Sequence, residues 1–223
     1  MQHAEVVRRI RDLALVPIVR VQNAELAIAA VEALRAGGID CAEITMTVDG
    51  AIRALEAVAD RYGDSFLLGA GTVLDPETAR ACILAGARFL VTPSLNVKTI
   101  EIARRYSCAM FPGGLTPTEV LTAWEAGADA VKVFPCNAMG GASYIKALKA
   151  PLPQVELFPT GGVTLETIRD FLQAGSMAVG IGSELVDSKA MAAGNHHLIT
   201  ERARKCREAA REARAGRSET VAC

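Results

Sequence analysis

The sequence is poor in several features that would point to particular classes of protein. Its 223 residues include only three histidines, all near the ends, so an internal histidine-based metal site is excluded. The formal net charge of -1 gives no electrostatic reason to expect nucleic acid or an anionic membrane as a partner. Apolar runs are short, and the run at residues 13–19, one of the longest, cannot span a bilayer.

Cysteine pairing and a secretion signal are also missing from the pattern. None of the six cysteines belongs to a CxxC pair or a tight framework, which indicates free thiols in a reducing compartment. Five charged residues stand among residues 5–12, where a signal peptide would need its apolar core. We therefore expect a cytoplasmic protein.

What the sequence does contain is a regular alternation of strand-like and helix-like segments. Apolar, β-branched runs predict strands at residues 14–20, 39–45, 66–71, 88–92, 108–111, 130–134, 155–159 and 176–180. Capping residues and helical periodicity predict helices at residues 2–13, 23–35, 50–61, 75–86, 96–106, 116–127, 142–149, 164–173 and 195–215. Glycines at 37, 86, 127 and 175 each close a helix before a strand, at intervals of two strand–helix units.

Strands that alternate with helices imply parallel pairing and right-handed crossovers. Eight such units in this length predict an α/β protein, a compact (β/α)8 TIM barrel with an N-terminal helix and a C-terminal helical extension. A doubly wound open sheet is the alternative, but no GxGxxG follows the first strand. We expect one domain: a barrel over about residues 14–187, a C-terminal helix over about 195–215, and a frayed tail at 216–223.

Lys132 lies in the middle of the apolar strand at residues 130–134. Strand alternation would put it on one face with Ala130 and Phe134. Burial of an ammonium is costly and lowers its pKa, which makes the amine a usable nucleophile. The structural alternative is a lysine at a strand end that reaches water or pairs with a carboxylate.

Glu43 is the second chemically informative residue, in an otherwise apolar strand. Because helices cover the outer face of a barrel strand, the carboxylate is expected on the inner face, where it can meet Lys132. A carboxylate and an amine at a barrel mouth can act as proton shuttle and nucleophile. A buried ion pair with no catalytic role is the alternative.

Two glycine-rich turns follow the last two predicted strands, at Thr160-Gly161-Gly162-Val163 and at Gly180-Ile181-Gly182-Ser183. In barrels this region often binds phosphate through backbone N–H groups, so the pair of turns predicts a phosphorylated substrate. Glycines that only permit tight turns are the alternative. Arg20, at the end of the first strand, can supply a cation for a phosphate or carboxylate, unless it forms a rim salt bridge.

An ordered set of short motifs resembles the KDPG/KHG aldolases, which act on 2-keto-3-deoxy-6-phosphogluconate and 4-hydroxy-2-oxoglutarate. The resemblance spans roughly residues 5–187. It is carried by Val19-Arg20, Ala42-Glu43-Ile44-Thr45, Gly69-Ala70-Gly71-Thr72-Val73-Leu74, Val91-Thr92-Pro93, Phe111-Pro112-Gly113, Lys132-Val133-Phe134-Pro135, Pro159-Thr160-Gly161-Gly162-Val163 and Gly182-Ser183.

The resemblance implies a cytosolic class I aldolase, a homotrimeric barrel without metal or organic cofactor, whose partner is a small 2-keto acid phosphate. Lys132 would be the Schiff-base lysine and Glu43 the general acid/base. Thr72, Pro93 and Phe134 would line the pyruvate pocket. The distal or phosphate end would be held by Arg20, Gly161, Gly162, Gly182 and Ser183, and Thr160 would also bind substrate.

Two short stretches depart from the family pattern. Thr47 stands where some members have an arginine that contacts the pyruvate-side carboxylate, and Cys136-Asn137 replaces Ala-Glu. Three other functions stay open: a 2-keto-3-deoxy-6-phosphogalactonate aldolase, a sugar-phosphate epimerase or isomerase with Glu43 as base, and a non-catalytic barrel scaffold. A metal-dependent pyruvate aldolase is disfavoured by the missing internal histidines.

Overall fold

The structure, a computed structural model, describes residues 1–220, with side chains through residue 215. Its strands are β1 Leu15–Val19, β2 Cys41–Thr45, β3 Leu67–Gly71, β4 Phe89–Val91, β5 Ala109–Phe111, β6 Val131–Val133, β7 Leu157–Pro159 and β8 Val179–Ile181. Its α-helices are α1 His3–Leu13, α2 Ala24–Ala36, α3 Ala51–Tyr62, α4 Pro76–Leu84, α5 Val97–Arg105, α6 Pro117–Glu125, α7 Ala142–Lys149, α8 Ile168–Gln173, α9 Ser188–Ala192 and α10 His196–Thr220. Short 3-10 helices occur at Gly63–Ser65 and Cys136–Met139.

The strands pair in parallel and in chain order around a closed ring. One sheet runs β5-β4-β3-β2-β1-β8, and β6 pairs with β7. Bridges from Gly113 to Lys132 and from Thr160 to Gly180 join these two groups, so every strand meets its neighbours in sequence. This arrangement confirms the predicted barrel and leaves no open sheet edge, which a doubly wound sheet would have.

The side chains of alternate strand residues belong to two separate apolar cores. Inside the barrel, Phe89, Phe111 and Phe158 form a chain of rings with centroid separations of 5.9 and 5.7 Å. Outside it, valine, isoleucine, leucine and alanine of the strands pack against the surrounding helices. Ala130, directly before β6, belongs to the inner core, while Val131 and Val133 of β6 belong to the outer one, as predicted from strand alternation.

Helix α1 closes the N-terminal end of the barrel. Its buried residues Val6 and Ile10 belong to the inner core. Around the helix, His3 contacts Asp129 at 3.0 Å and Arg11 contacts Glu156 at 2.7 Å, both just before strands β6 and β7. Helix α1 therefore fills the interior at the amino ends of the strands, and any ligand site must open at their carboxyl ends.

Most helix starts agree with their sequence signals. Side chains of Asn23, Asp75 and Asn96 accept backbone N–H groups at the starts of α2, α4 and α5, and Thr116 forms a capping box with Glu119 at α6. At the last unit the boundaries differ. Strand β8 begins at Val179, where its pairing with β1 starts. Helix α8 begins at Ile168, because residues 164–167 form a separate turn closed by the Thr167 hydroxyl.

The predicted C-terminal extension completes the ring of helices. Helix α10 packs between α8 and α2, over the seam where β8 meets β1. It continues to Thr220, past the predicted end near residue 215. Residues 221–223 of the predicted frayed tail lie outside the described residues. None of the helices in the described chain combines the length and apolar composition needed to cross a membrane.

Candidate active site

A cavity of about 380 Å³ opens at the carboxyl ends of β1, β6, β7 and β8. It brings together eight of the residues predicted from the sequence. These are Arg20, Lys132, Phe134, Thr160, Gly161, Gly162, Gly182 and Ser183. Since they come from four strand ends that are far apart in the chain, only barrel closure can place them in one cavity.

Lys132 occupies the centre of β6 and points into the barrel. Its backbone is held against the segment that follows β5, because its N–H donates to Pro112 O at 2.8 Å and its carbonyl accepts from the Gly114 N–H at 2.9 Å. The residue is only 4% exposed. The Nζ atom lies 5.2 Å from the centroid of the Phe134 ring, the apolar wall beside it. The amine is thus buried at the floor of the cavity rather than extended into water.

Glu43 lies on the inner face of β2 and is fully buried. Space for it depends on Gly71 in the neighbouring strand, since a Cβ atom there would fall 2.6 Å from Oε1 and 2.8 Å from Cδ. Within the described residues, neither carboxylate oxygen has a hydrogen-bond partner. A buried carboxylate without a protein partner is unusual in a structural role, since leaving it unpaired costs free energy.

Burial moves the two titratable groups towards their neutral forms. It lowers the pKa of Lys132, an effect opposed by the charge of Glu43 and reinforced by Arg20. It also raises the pKa of Glu43, against the opposing charges of Lys132 and Arg20. Glu43 accepts no hydrogen bond from Lys132, so the two groups do not form a contact ion pair. They interact by longer-range electrostatics instead. The arrangement can therefore provide a neutral amine and a proton-exchanging carboxyl group.

The other end of the cavity is formed by the turns after β7 and β8. Gly161 and Gly162 have φ values of +87° and +76°, a backbone conformation that favours glycine. Thr160 is 1% exposed, and its Oγ1 has no hydrogen-bond partner in the described residues. Its methyl group packs on Gly180, where an added Cβ would lie 2.4 Å from Thr160 Cγ2. The side chain is thus held by close packing beside the cavity, and its hydroxyl is buried without a hydrogen-bond partner among the described residues.

Glu43, Thr72 and Pro93 do not line this cavity. Thr72 follows β3 with a φ of +57°, which is rare for a β-branched residue and typical of functional sites. Pro93 is half-buried in the loop after β4. That loop is fixed by Thr92, whose hydroxyl donates to Ser94 O at 2.6 Å and accepts from the Gly113 N–H at 3.1 Å. The hydroxyl of Thr92, a polar residue at a strand end, is therefore used in hydrogen bonds that hold the loop in place.

The two departures from the family pattern occupy different surroundings. Thr47 is exposed, and its hydroxyl lies 2.8 Å from that of Thr45. Cys136 is buried, and burial raises the pKa of its thiol to about 11, so it packs as a small apolar group. Asn137 lies against the glycine turn, where a Cβ atom at Gly162 would fall 2.5 Å from the Asn137 Cβ.

Sequence reasoning missed part of the cavity wall. The lining residues that it did not single out are Ile18, Thr164, Glu184, Val186 and Ser188, whereas Val163 and Gly180 belong to the two predicted turns. Ile18 has a detectable signal, because it stands two residues before Arg20 and so shares its strand face. Glu184 directly follows Ser183 and could have been included with the second glycine turn. No group of three or more His, Cys, Asp or Glu side chains suited to a metal ion occurs in the described chain.

Comparison with protein families and curated proteins gives consistent matches. The family model described as KDPG and KHG aldolase matches residues 6–202. The chain is 41% identical over 174 residues to the 2-dehydro-3-deoxy-6-phosphogalactonate aldolase of Escherichia coli (strain K12), which covers 78% of this chain and 84% of the relative. It is 34% identical over 197 residues to the KHG/KDPG aldolase of the same organism, covering 88% and 92%.

Solved structures agree with these matches. A KDPG aldolase from Legionella pneumophila, with pyruvate captured as a covalent carbinolamine intermediate, superposes with a TM-score of 0.83 at 31% identity, covering 92% of this chain and 97% of that one. A porous cage designed by fusing symmetric oligomeric domains gives a TM-score of 0.85 at 36% identity, covering 93% and 75%.

Proposed function

The chain belongs to the KDPG and KHG aldolase family and is a lyase of the class I pyruvate aldolase type; we propose that its main reaction cleaves 2-keto-3-deoxy-6-phosphogluconate to pyruvate and glyceraldehyde 3-phosphate. The observation that carries the proposal is the buried Lys132, whose pKa is lowered by desolvation at the floor of a barrel-mouth cavity. A neutral amine in that position is a nucleophile for a ketone.

In the proposed mechanism, Lys132 attacks the C2 carbonyl of the substrate and forms a carbinolamine, which loses water to give a protonated Schiff base. The iminium accepts the electron pair of the C3–C4 bond when that bond breaks. Glu43 takes the proton of the C4 hydroxyl during cleavage and later returns a proton to C3 of the enamine. Hydrolysis then releases pyruvate and restores the amine.

The substrate would lie with its distal end in the cavity and its pyruvate end reaching past Lys132, beyond the residues that line the cavity. Thr72, Pro93 and Phe134 are proposed to form the pyruvate pocket near Lys132. The phosphate end is assigned to the region with the exposed guanidinium and the two glycine turns, formed by Arg20, Gly161, Gly162, Gly182 and Ser183. The unpartnered hydroxyl of Thr160 stands between these ends, where it can bind a hydroxyl of the substrate.

Two related substrates belong to the same proposal. Cleavage of 4-hydroxy-2-oxoglutarate to pyruvate and glyoxylate needs the same amine and carboxyl group. The galactonate-derived 2-keto acid phosphate differs from the gluconate-derived one only in configuration at C4, and it is supported by the 41% identity to the E. coli enzyme that carries that name. Pocket shape around C4 decides between the two.

We also propose that the protein is a cytoplasmic homotrimer that works without a metal or organic cofactor. The trimer is supported by the family resemblance and by similarity to a designed cage built from symmetric oligomeric domains. Sedimentation equilibrium would measure three times the 23.5 kDa chain mass if this assembly is correct. Activity retained after exhaustive treatment with EDTA is expected for metal-independent Schiff-base chemistry.

Pyruvate trapping tests the reaction most directly. The protein is incubated with pyruvate and sodium borohydride, and peptide mapping then locates the added mass. A lactyl-sized increment on Lys132 is expected, because borohydride reduces the Schiff base to a stable secondary amine. Lys149→Ala is not a suitable control, since Lys149 donates to two backbone carbonyls; the exposed Lys98→Ala is, and it should label normally.

The Lys132→Ala protein, shown to be folded by circular dichroism, should take up no label and lose turnover by about 10³-fold or more. If the wild-type protein takes up no label in excess pyruvate, the proposed aldolase mechanism is refuted. An epimerase or isomerase with Glu43 as base is then the better-supported function. Labelling of Lys132 without cleavage of any of the three substrates would instead support a barrel that binds pyruvate and has lost turnover.

A further inference from the structure

Glu184 is an acidic residue at the end of the cavity where the phosphate is proposed to bind. It lines the same wall as Gly161, Gly162 and Ser183. Its side chain is exposed, and the ion pairs of the described residues include neither Glu184 nor Arg20. Arg202, a cation from α10 near the same turn, pairs instead with Asp187 at 3.7 Å.

A carboxylate in this position works against the binding of a phosphate. A phosphomonoester carries close to two negative charges at neutral pH, whereas 4-hydroxy-2-oxoglutarate presents a single carboxylate at its distal end. Repulsion by Glu184 therefore acts about twice as strongly on the phosphorylated substrate as on the dicarboxylate. Among the residues that the structure describes, Arg20 is the only guanidinium that lines the cavity, so repulsion by Glu184 partly cancels its attraction for the distal group of the substrate.

We propose that Glu184 is a specificity-determining residue that narrows the preference for phosphorylated over carboxylate-terminated substrates. This inference rests on the proposed function, since it needs both substrates to bind in this cavity with their distal ends at the turns after β7 and β8. Glu184 takes no part in the proton transfers, because it lies at the turn after β8 while Lys132 and Glu43 occupy the strands.

Steady-state kinetics on both substrates tests the proposal. The wild type is compared with Glu184→Gln, which removes the charge, and with Glu184→Asp, which keeps it. Glu101→Gln is the matched control, because Glu101 is an exposed glutamate on α5 outside the cavity. All four proteins are assayed with 2-keto-3-deoxy-6-phosphogluconate and 4-hydroxy-2-oxoglutarate at low and high concentrations of sodium chloride.

For Glu184→Gln we expect the KM of the phosphorylated substrate to fall by roughly three- to tenfold, with a smaller fall for the dicarboxylate and no change in kcat. Glu184→Asp and Glu101→Gln should behave as the wild type. The difference between Glu184→Gln and the wild type should shrink as salt is raised, because exposed charges are screened. A salt-dependent change in KM without a change in kcat distinguishes an electrostatic role of Glu184 from a structural one.

An unchanged or raised KM in Glu184→Gln overturns the proposal; a raised value would mean that Glu184 binds a substrate hydroxyl. Equal effects on the two substrates, or the same effect in Glu101→Gln, also overturn it. Pyruvate trapping on Lys132 is measured in every variant to keep the two claims apart. No trapping in the wild type refutes the aldolase mechanism, whereas normal trapping with an unchanged KM refutes only the role of Glu184. Should Glu184→Gln fold poorly, Glu184→Ser removes the same charge from this exposed site.

Discussion

The two ends of the barrel are built from the same alternating strands but contain opposite kinds of side chain. At the closed end, Val6 and Ile10 of α1 and the ring of Phe89 fill the interior. At the open end, the inward positions carry Lys132 and Glu43, and Glu43 has no hydrogen-bond partner in the described residues. One end is packed apolar surface, and the other keeps polar groups in an environment that is unfavourable for their charges.

Two glycines of β3 leave space for side chains at both ends of the barrel. An added Cβ at Gly69 would fall 2.3 Å from the Phe89 ring, and one at Gly71 would fall 2.6 Å from Glu43 Oε1. The same strand thus leaves space for an aromatic ring at one level and for a carboxylate two residues later. This comparison indicates that the residues that stabilise the barrel and the residues proposed for catalysis lie in different layers of its interior. A substitution in the apolar layer should therefore leave the activity largely unchanged, and one in the polar layer should leave the stability largely unchanged.

The largest effect is expected at the open end. Glu43→Gln keeps the shape of the side chain but removes its ability to exchange a proton, so kcat for cleavage should fall by about 10²- to 10⁴-fold. Folding should be preserved, since no hydrogen bond to Glu43 is lost within the described chain. Stopped assays of pyruvate formation measure the rate, and trapping on Lys132 shows whether Schiff-base formation survives. A loss of less than about threefold would contradict the proton-transfer role.

A substitution at the closed end should have the reverse signature. Phe89→Ala removes a fully buried ring from the inner core and should lower the free energy of unfolding by about 3–5 kcal/mol. Phe89→Leu, the control, keeps most of the volume and should cost less. Urea unfolding gives the stability, while kcat per folded molecule should stay near the wild-type value. A collapse of kcat in protein that remains folded would show that the two layers are coupled.

The smallest effect is a pH dependence of stability that belongs to the open end. Burial raises the pKa of Glu43 above the ordinary value of 4.5, so the folded protein binds more protons than the unfolded chain between these two values. Stability contributed by this carboxyl group is therefore present below pH 4.5 and lost as the pH rises through the raised pKa.

Glu43→Gln has no such titration. Its stability relative to the wild type should increase between pH 4.5 and pH 8, because only the wild type loses this contribution as the pH rises towards the raised pKa of Glu43. Urea unfolding at several pH values measures the difference, with Glu101→Gln as the control for a change in net charge. A difference that stays constant across this range would mean that Glu43 is not desolvated in the folded protein.

Much of the fold follows from local sequence signals. The caps at Asn23, Asp75 and Thr116 define helix starts, and strand alternation correctly assigns Ala130 to the inside and Val131 to the outside. These signals act over a few residues, which is why they can be predicted without the tertiary structure. Strand β8 is less well predicted, because its pairing with β1 depends on contacts with residues over 160 positions away.

The candidate site divides in the same way. Lys132 and Glu43 are identifiable because a charged residue in an apolar strand is costly and therefore informative. The left-handed conformation of Thr72 has no signal in its own residue type. The place of Glu184 in the cavity wall also escapes prediction, since its carboxylate could equally have faced solvent away from the turn.

By itself, the sequence determined the order of strands and helices, the inner and outer faces of the strands, and the two charged residues in apolar strands that we propose as proton shuttle and nucleophile. These are set by side-chain polarity and by local backbone preferences. Tertiary structure alone decided that α1 fills the lower end, that α10 covers the seam between β8 and β1, and that Arg20 shares a cavity with Lys132 and Glu184. Closure of the ring brings these distant strand ends together, and no local pattern encodes the resulting balance of charge in the cavity.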